Sequence, residues 1–184
     1  MLTHSYRMPR NPISFFFLAK RHDYVRSILK DGYNLDVGCG LYKITDGSIG
    51  LDSKSWKNPD VVGSIFDIPF PENTFDSVTL LELIEHMEPS KQNKALGEIR
   101  RVLKEGGQLI VSMPNMSKYC AIPYRIIWWL WERTIQKEYY HEHVGMIPRK
   151  RLMVLLERSG FSIKSVRRIA IFDLVVESTN AYVA

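Results

Sequence analysis

The residues in this chain best suited to chemistry begin with two acids and two glycines. In "NLDVGCGLYKITDGSIGLDS" (residues 34–53), Asp36 sits within one apolar run, Gly38 and Gly40 follow it, and Asp52 ends a second run. Glycine adopts backbone angles denied to other residues and lets a ligand lie against the main chain. An acid at the end of the next strand can accept both hydroxyls of a ribose, as the acidic residue roughly 20 positions beyond a dinucleotide fingerprint does. The dinucleotide pattern itself is not met: G-x-G-x-x-G requires glycine at position 43, and Lys43 stands there. Groups able to move a proton lie further along. Glu85 and His86 in "ELIEHM", with His141 and His143 in "YYHEHVG", are the candidate general bases; a placed base contributes about 10²–10⁴ in rate. Two histidines with no cysteine or third placed ligand nearby make a poor zinc site, so no metal is expected.

The elements that must position these residues alternate along the chain. From Ser14, "SFFFLAKRHDYVRSILKDG" has Phe17, Leu18, Val25, Ile28 and Leu29 at helical spacing, with Ser14 as N-cap and Gly32 past the end. Short apolar runs follow, "YNLDVGC", "SIGLD", "DVVGSIFD" and "FDSVTLLEL", each stopping at an acidic or glycine-containing turn; they read as strands. "SKQNKALGEIRRVLKEGG" is a helix stopped by Gly106 and Gly107, and "QLIVSMP" is a buried strand. "PRKRLMVLLERSG" is a helix with Pro148 in its first turn, and "FSIKSVRRIA" and "FDLVVESTNAYV" close the chain as a strand pair. Strands alternating with helices imply a mostly parallel α/β sheet covered on both faces.

Composition sets the outer bounds. The chain has 184 residues, 45% hydrophobic and 24% charged, which suits one domain with a full core. The net charge of +5 favours anionic partners without naming one, and no long block of like charge accompanies it. Cys39 and Cys120 stand in unrelated contexts, which fits a reducing, cytoplasmic setting. "ISFFFLA" follows two arginines but meets "KRHD" rather than a small-residue cleavage site, and no apolar run approaches the roughly 20 residues of a membrane span.

The ordered series "LDVGCG", "GLD", "FDIPFPENTFDSV", "LLELIEHM" and "EIRRVLKEGGQLIVSMPN" resembles the class I S-adenosylmethionine-dependent methyltransferases, of the small type-11 kind. The resemblance covers roughly residues 33–115, and "HVGMIPRKRLMVLLERSGF" extends it. It implies a Rossmann-like sheet with an antiparallel last strand, and S-adenosylmethionine as cofactor with S-adenosylhomocysteine as product. It also implies positions: Asp36, Gly38 and Gly40, with Cys39 between them, at the amino-acid moiety, and Asp52 with Ser53 at the ribose. Asp67 and Ile68 would lie at the adenine, and Leu81 and Glu82 at the methionine part. In this family the Glu-His after the fourth strand is often partly structural, which bears on Glu85 and His86.

Two features depart from the pattern. A third glycine common in the first motif is replaced by Tyr42, and only about eight residues separate "LDVGCG" from "SIGLD", against the dozen or more of a normal parallel crossover. The first crossover helix must be shortened to a turn or two, with Tyr42 or Lys43 replacing what the helix supplied. The layout expected is a single domain, 1–184: an N-terminal arm and helix (1–32), a cofactor-binding core (33–113), an aromatic lid or substrate insertion (114–146), and a C-terminal helix and strand pair (147–184). Residues 121–140, "AIPYRIIWWLWERTIQKEYY", read as a lid, as an apolar acceptor pocket, or as a peripheral membrane contact. A small-molecule methyl acceptor is expected. "LLELIEH" stands where an amino-methylating DNA enzyme would carry an N/D-P-P-Y motif, so no DNA is expected. A catalytically silent methyltransferase fold and an RNA or protein methyltransferase are the alternatives.

Overall fold

The computed structural model describes residues 12–114, 147–169 and 173–180. Seven strands form one sheet: β1 (Asn34–Val37), β2 (Ile49–Asp52), β3 (Val61–Val62), β4 (Phe75–Leu81), β5 (Leu103–Pro114), β6 (Phe161–Ile169) and β7 (Asp173–Asn180). Their order is β3-β2-β1-β4-β5-β7-β6. The first five run parallel, and β7 is antiparallel to both β5 and β6. Three α-helices are described, α1 (Pro12–Ile28), α2 (Pro89–Val102) and α3 (Arg149–Arg158), with single 3-10 turns at Ser55–Lys57 and Ile84–His86.

Alternation along the central strands divides the core between the two faces. Leu109, Val111 and Met113 of β5, with Leu174 and Val176 of β7, join one cluster with Leu96 and Ile99 of α2 and Leu152 and Leu156 of α3. Ile110 and Val175, one residue out of phase, meet Val25 of α1 and Ile44 on the opposite face. The expected antiparallel final pair and the helices on both faces are therefore present.

Helix ends are set by distant partners. The expected glycine stop of α2 lies too far along: the helix ends at Val102, because the N–H groups of Asn73 and Thr74 donate to the carbonyls of Arg101 and Val102 at 2.9 Å each. The side-chain amide of Asn180, on β7, donates to the next carbonyls, of Leu103 and Lys104, at 3.4 and 3.2 Å. Gly106 and Gly107 instead lie inside β5, where the pairing with β4 jumps from Phe75–Leu103 to Ser77–Gln108 and Gly106 takes φ 67°. At the start of the chain, α1 begins at Pro12, two residues before the expected Ser14 cap. Its far end is tied to the sheet by buried Gln108, whose Oε1 accepts from the Lys30 N–H (2.9 Å) and whose Nε2 donates to the Ile28 carbonyl (2.8 Å).

Two short stretches differ from expectation in kind. "DVVGSIFD" yields only the two residues of β3, and Ser64 then bridges to Asp67 in a turn. Between β1 and β2 no helical turn forms at all, and residues 38–48 are turns and bends. The shortening anticipated for the first crossover goes to its limit.

Candidate cofactor site

The carboxyl ends of β1, β2 and β4 converge, and the loop after β1 is pinned there by two buried acids. Asp36 is 3% exposed; its Oδ2 accepts from the Ile44 N–H (2.8 Å) and its Oδ1 from the Thr79 hydroxyl (2.7 Å). Burial pushes its carboxyl up to about 6, against the lowering effect of those two bonds and of Lys43. Both of its oxygens are thus engaged in bracing the loop. Asp52, 5% exposed, holds the other side: Oδ2 accepts from the Gly40 N–H (3.1 Å) and from Lys57 Nζ (3.0 Å), and Oδ1 from the Lys54 N–H (2.9 Å).

The glycines between these acids serve different needs. Gly38 takes φ 72°, and a Cβ there would sit 2.5 Å from Leu83 Cδ2. Gly40 takes φ 61°, and a Cβ there would meet nothing within 4 Å, because it would project into open space. One glycine permits close packing, the other keeps a cradle empty.

Two cavities adjoin at Gly38. The larger, about 600 Å³, is lined by Asp52, Ser53, Ile65, Phe66, Glu82 and His86 among others. The smaller, about 200 Å³, is lined by Asp36, Cys39, Gly40, Tyr42 and Leu81, and is walled by Arg21 and His22 of α1. Burial, reinforced by Arg21 and Arg26, holds the His22 imidazole down to about 4, so it is neutral. Burial, with Asp36 and Asp52 nearby, pushes the Cys39 thiol up to about 12, which makes it a packing group and not a nucleophile. Glu82, on the wall of the larger cavity, takes φ 50°, with Oε1 accepting from the Ser112 hydroxyl (2.9 Å) and facing Arg21 Nη1 (3.5 Å) of the smaller cavity's wall. Its burial raises the carboxyl above the ordinary range, and Arg21 and Ser112 oppose that rise.

The structure thus brings Asp36, Gly38, Cys39, Gly40, Asp52, Ser53, Leu81, Glu82 and His86 to one place. Three expected residues lie apart. Ile68 is 2% exposed in the core, its N–H donating to Glu98 Oε2 and its carbonyl accepting from Arg101 Nη2, both at 2.9 Å. Asp67 is exposed and lines neither cavity, and Glu85 is 1% exposed and lines neither. The cavity wall is made instead by Ile65 and Phe66, just upstream in the same stretch. Of the two residues expected to replace the missing helix, Tyr42 lines the smaller cavity. Lys43 turns away to Asp60 (2.7 Å), whose carboxyl is held low by the Gly50 N–H and then by Lys43. His141, His143 and residues 121–140 lie outside the described residues. Arg21, His22 and Lys57 were not legible as site residues, since nothing local in α1 or after β2 marks them.

Residues 35–111 match the family model described as a methyltransferase domain. That match, less than half of the chain, makes residues 35–111 similar to methyltransferases. The ubiquinone/menaquinone biosynthesis C-methyltransferase UbiE of Paraburkholderia phymatum is 32% identical over 139 residues, covering 70% of this chain and 56% of that protein. The chain spans about half the length of the curated relatives it matches, 42% for the Methanocaldococcus jannaschii protein MJ0638. The PH0226 protein of Pyrococcus horikoshii OT3 has the same fold, with TM-score 0.72 at 17% identity, over 93% of this chain and 92% of that one. So does the Burkholderia thailandensis 1,6-didemethyltoxoflavin-N1-methyltransferase, solved with its acceptor and S-adenosylhomocysteine: TM-score 0.69 at 14% identity, over 93% and 82%. Among the described residues, no group of three or more His, Cys, Asp or Glu could hold a metal ion. No described helix is long and apolar enough to cross a membrane.

Proposed function

We propose that the chain binds S-adenosylmethionine across the two cavities and passes its methyl group to a small-molecule acceptor. The observation that carries this reading is the pair of cavities meeting at Gly38 over the carboxyl ends of β1, β2 and β4, where ligands bind in open α/β sheets. Their combined size falls in the range of ordinary small-molecule sites, about 300–1,000 Å³. The open space above Gly40 is a cradle that any side chain would fill, which fits a bound group pressed against the main chain. The cofactor, when bound, supplies a methyl on a sulfonium centre.

The chain's own residues do the rest: they orient, enclose and move a proton. Asp52 and Ser53 would hold the ribose; Ile65 and Phe66 would cover the adenine, with Asp67 beside them at the rim. Gly38, Cys39 and Gly40, with Leu81 and Glu82, would border the amino-acid end, and Asp36 would act by fixing the loop. His86 is the candidate base that faces the larger cavity, with His141 and His143 as further candidates. Glu85, buried beside His86 in sequence, would position it. Residues 114–146 would form the lid over the acceptor, within a single domain, 1–184. The UbiE relative is a ubiquinone/menaquinone biosynthesis C-methyltransferase, which supports an apolar or lipid-like acceptor. A cytoplasmic setting follows from the cysteine usage, and a membrane contact through residues 121–140 remains part of this reading.

One observation favours a second reading, a catalytically silent binding protein. Asp52 already accepts three protein donors, so a ribose must displace Lys57 to gain both hydroxyl contacts. Calorimetric titration with S-adenosylmethionine and S-adenosylhomocysteine, beside Asp52→Ala, tests both. Binding lost in the variant, followed by turnover on a panel of small-molecule, RNA or protein acceptors, supports methyl transfer and sorts the acceptor class. Binding without turnover on any acceptor moves the silent reading forward, and no binding overturns methyl transfer and leaves the silent fold in front.

A further inference from the structure

The positive charge of the molecule is concentrated on one edge. Residues 147–169, comprising α3 and β6, contain Arg149, Lys150, Arg151, Lys164, Arg167 and Arg168, plus Arg158, against the single acid Glu157. This unit alone carries more than the whole chain's net +5, so the remainder is close to neutral. All seven cations are exposed, and among the described residues none forms an ion pair. Elsewhere Lys43, Lys57, Lys91, Arg101 and Lys104 each pair with a carboxylate.

Topology gathers these charges. A short turn at Ser159 and Gly160 sends β6 back along α3, so its basic end returns toward the level of the helix's first turn, with Arg167 and Arg168 on alternate faces of this outermost strand. β6 is the outermost strand, antiparallel to β7, and therefore runs in the same direction as β4 and β5. Its basic end accordingly lies at the sheet edge that holds the two cavities.

Cations on an outermost strand commonly prevent pairing with another chain, which accounts for Lys164, Arg167 and Arg168. It does not account for Arg149, Lys150 and Arg151. These occupy the first turn of α3, which contains no acid, where the helix dipole repels positive charge. An arrangement that local stability opposes points to a partner that compensates it. Val154, 46% exposed, stands four residues after Lys150, three after Arg151 and four before Arg158, on the same outward stripe of α3. An apolar side chain ringed by cations suits a headgroup layer, where each Lys or Arg strengthens attachment to an anionic leaflet by about fivefold. A single-strand nucleic-acid site would want aromatic platforms beside the cations. The exposed large apolar residues described are Tyr33, Leu41, Trp56, Val62 and Val154, and no aromatic one lies on α3 or β6.

We propose that the edge formed by α3 and β6 docks on an anionic lipid surface, presenting the carboxyl edge of the sheet toward the membrane. The inference stands apart from the methyl-transfer reading and uses none of its residues. The test is cosedimentation of the full chain with vesicles of phosphatidylcholine alone and with one quarter phosphatidylglycerol, at low and high salt. Two variants neutralise the edge, Arg149→Gln/Lys150→Gln/Arg151→Gln and Arg167→Gln/Arg168→Gln; Lys30→Gln/Lys94→Gln neutralises charge elsewhere. The expected result is salt-sensitive binding to the anionic vesicles alone, weakened at least about tenfold in either edge variant and unchanged in the control. The triple variant should melt no lower than the native chain, because it relieves repulsion at the helix start. Absence of binding to anionic vesicles overturns the proposal, as does binding that survives in both edge variants or falls equally in the control. Tighter capture of single-stranded RNA than of vesicles through the same cations also overturns it, in favour of a nucleic-acid partner.

Discussion

Asp36 and His22 face the same small cavity with opposite titration behaviour, and together they set the acid response of the site. Asp36 binds its proton more readily in the folded chain, up to about 6, so its contribution is present at low pH and is lost as pH rises from about 4 through about 6. His22, held to about 4, does the reverse: its contribution is present above about 6.5 and is lost as pH falls toward 4. Each effect is on the order of 3 kcal/mol at most, so they largely cancel in that window. Denaturant titrations at stepped pH should show His22→Gln gaining stability as pH falls from 6.5 to 4 and Asp36→Asn losing it, relative to the native chain. The glycines give a second contrast. Gly38→Ala should destabilise the fold by more than about 1–2 kcal/mol, since left-handed strain adds to the collision with Leu83. Gly40→Ala should lower the melting temperature less, because its Cβ meets no atom, yet weaken S-adenosylhomocysteine binding more than stability; calorimetry beside thermal melting reads both.

At the scale of elements, α2 shows how much of a helix is settled elsewhere. Its buried stripe, Ala95, Leu96, Ile99 and Val102, packs on the sheet, and Arg101 ties it to the turn before β4 through the carbonyls of Ile68 and Phe70. Leu96→Ala should cost about 2–5 kcal/mol through the lost contacts and the cavity left behind. Gly97, in the same helix, lies over open space, with no atom within 4 Å of a built Cβ. Gly97→Ala should therefore raise stability by about 0.5–1 kcal/mol, read by chemical denaturation, because the helix loses a flexible residue and gains no clash. The end of α2 differs from what its glycines suggest for a physical reason: the partners that stop it, Asn73, Thr74 and Asn180, come from other elements, and no local pattern encodes them.

For the whole molecule, the site is a property of assembly. Residues from α1, the β1 loop, the ends of β2 and β4, and the turn after β3 meet only when the sheet closes, so a ligand bound there stabilises the folded chain. At a free concentration 100 times its dissociation constant, S-adenosylhomocysteine should raise unfolding free energy by about 2.7 kcal/mol, visible as a concentration-dependent melting shift. Asp52→Ala should abolish that shift.

The sequence by itself determined the strand-and-helix alternation, the parallel sheet with its reversed last strand, the loop glycines and the acids at strand ends. Periodicity of two or 3.6 and glycine at bends are local signals, and the ordered motifs resemble those of one family. Only the tertiary structure decided which side chains face the cavities. It put Ile65 and Phe66 on the wall and Ile68 in the core, turned Lys43 toward Asp60, brought Arg21 and His22 across from α1, and set Lys57 on Asp52. Those assignments depend on which elements pack together and on who shares each hydrogen bond. Such pairings span many residues, and the chain's local pattern carries no record of them.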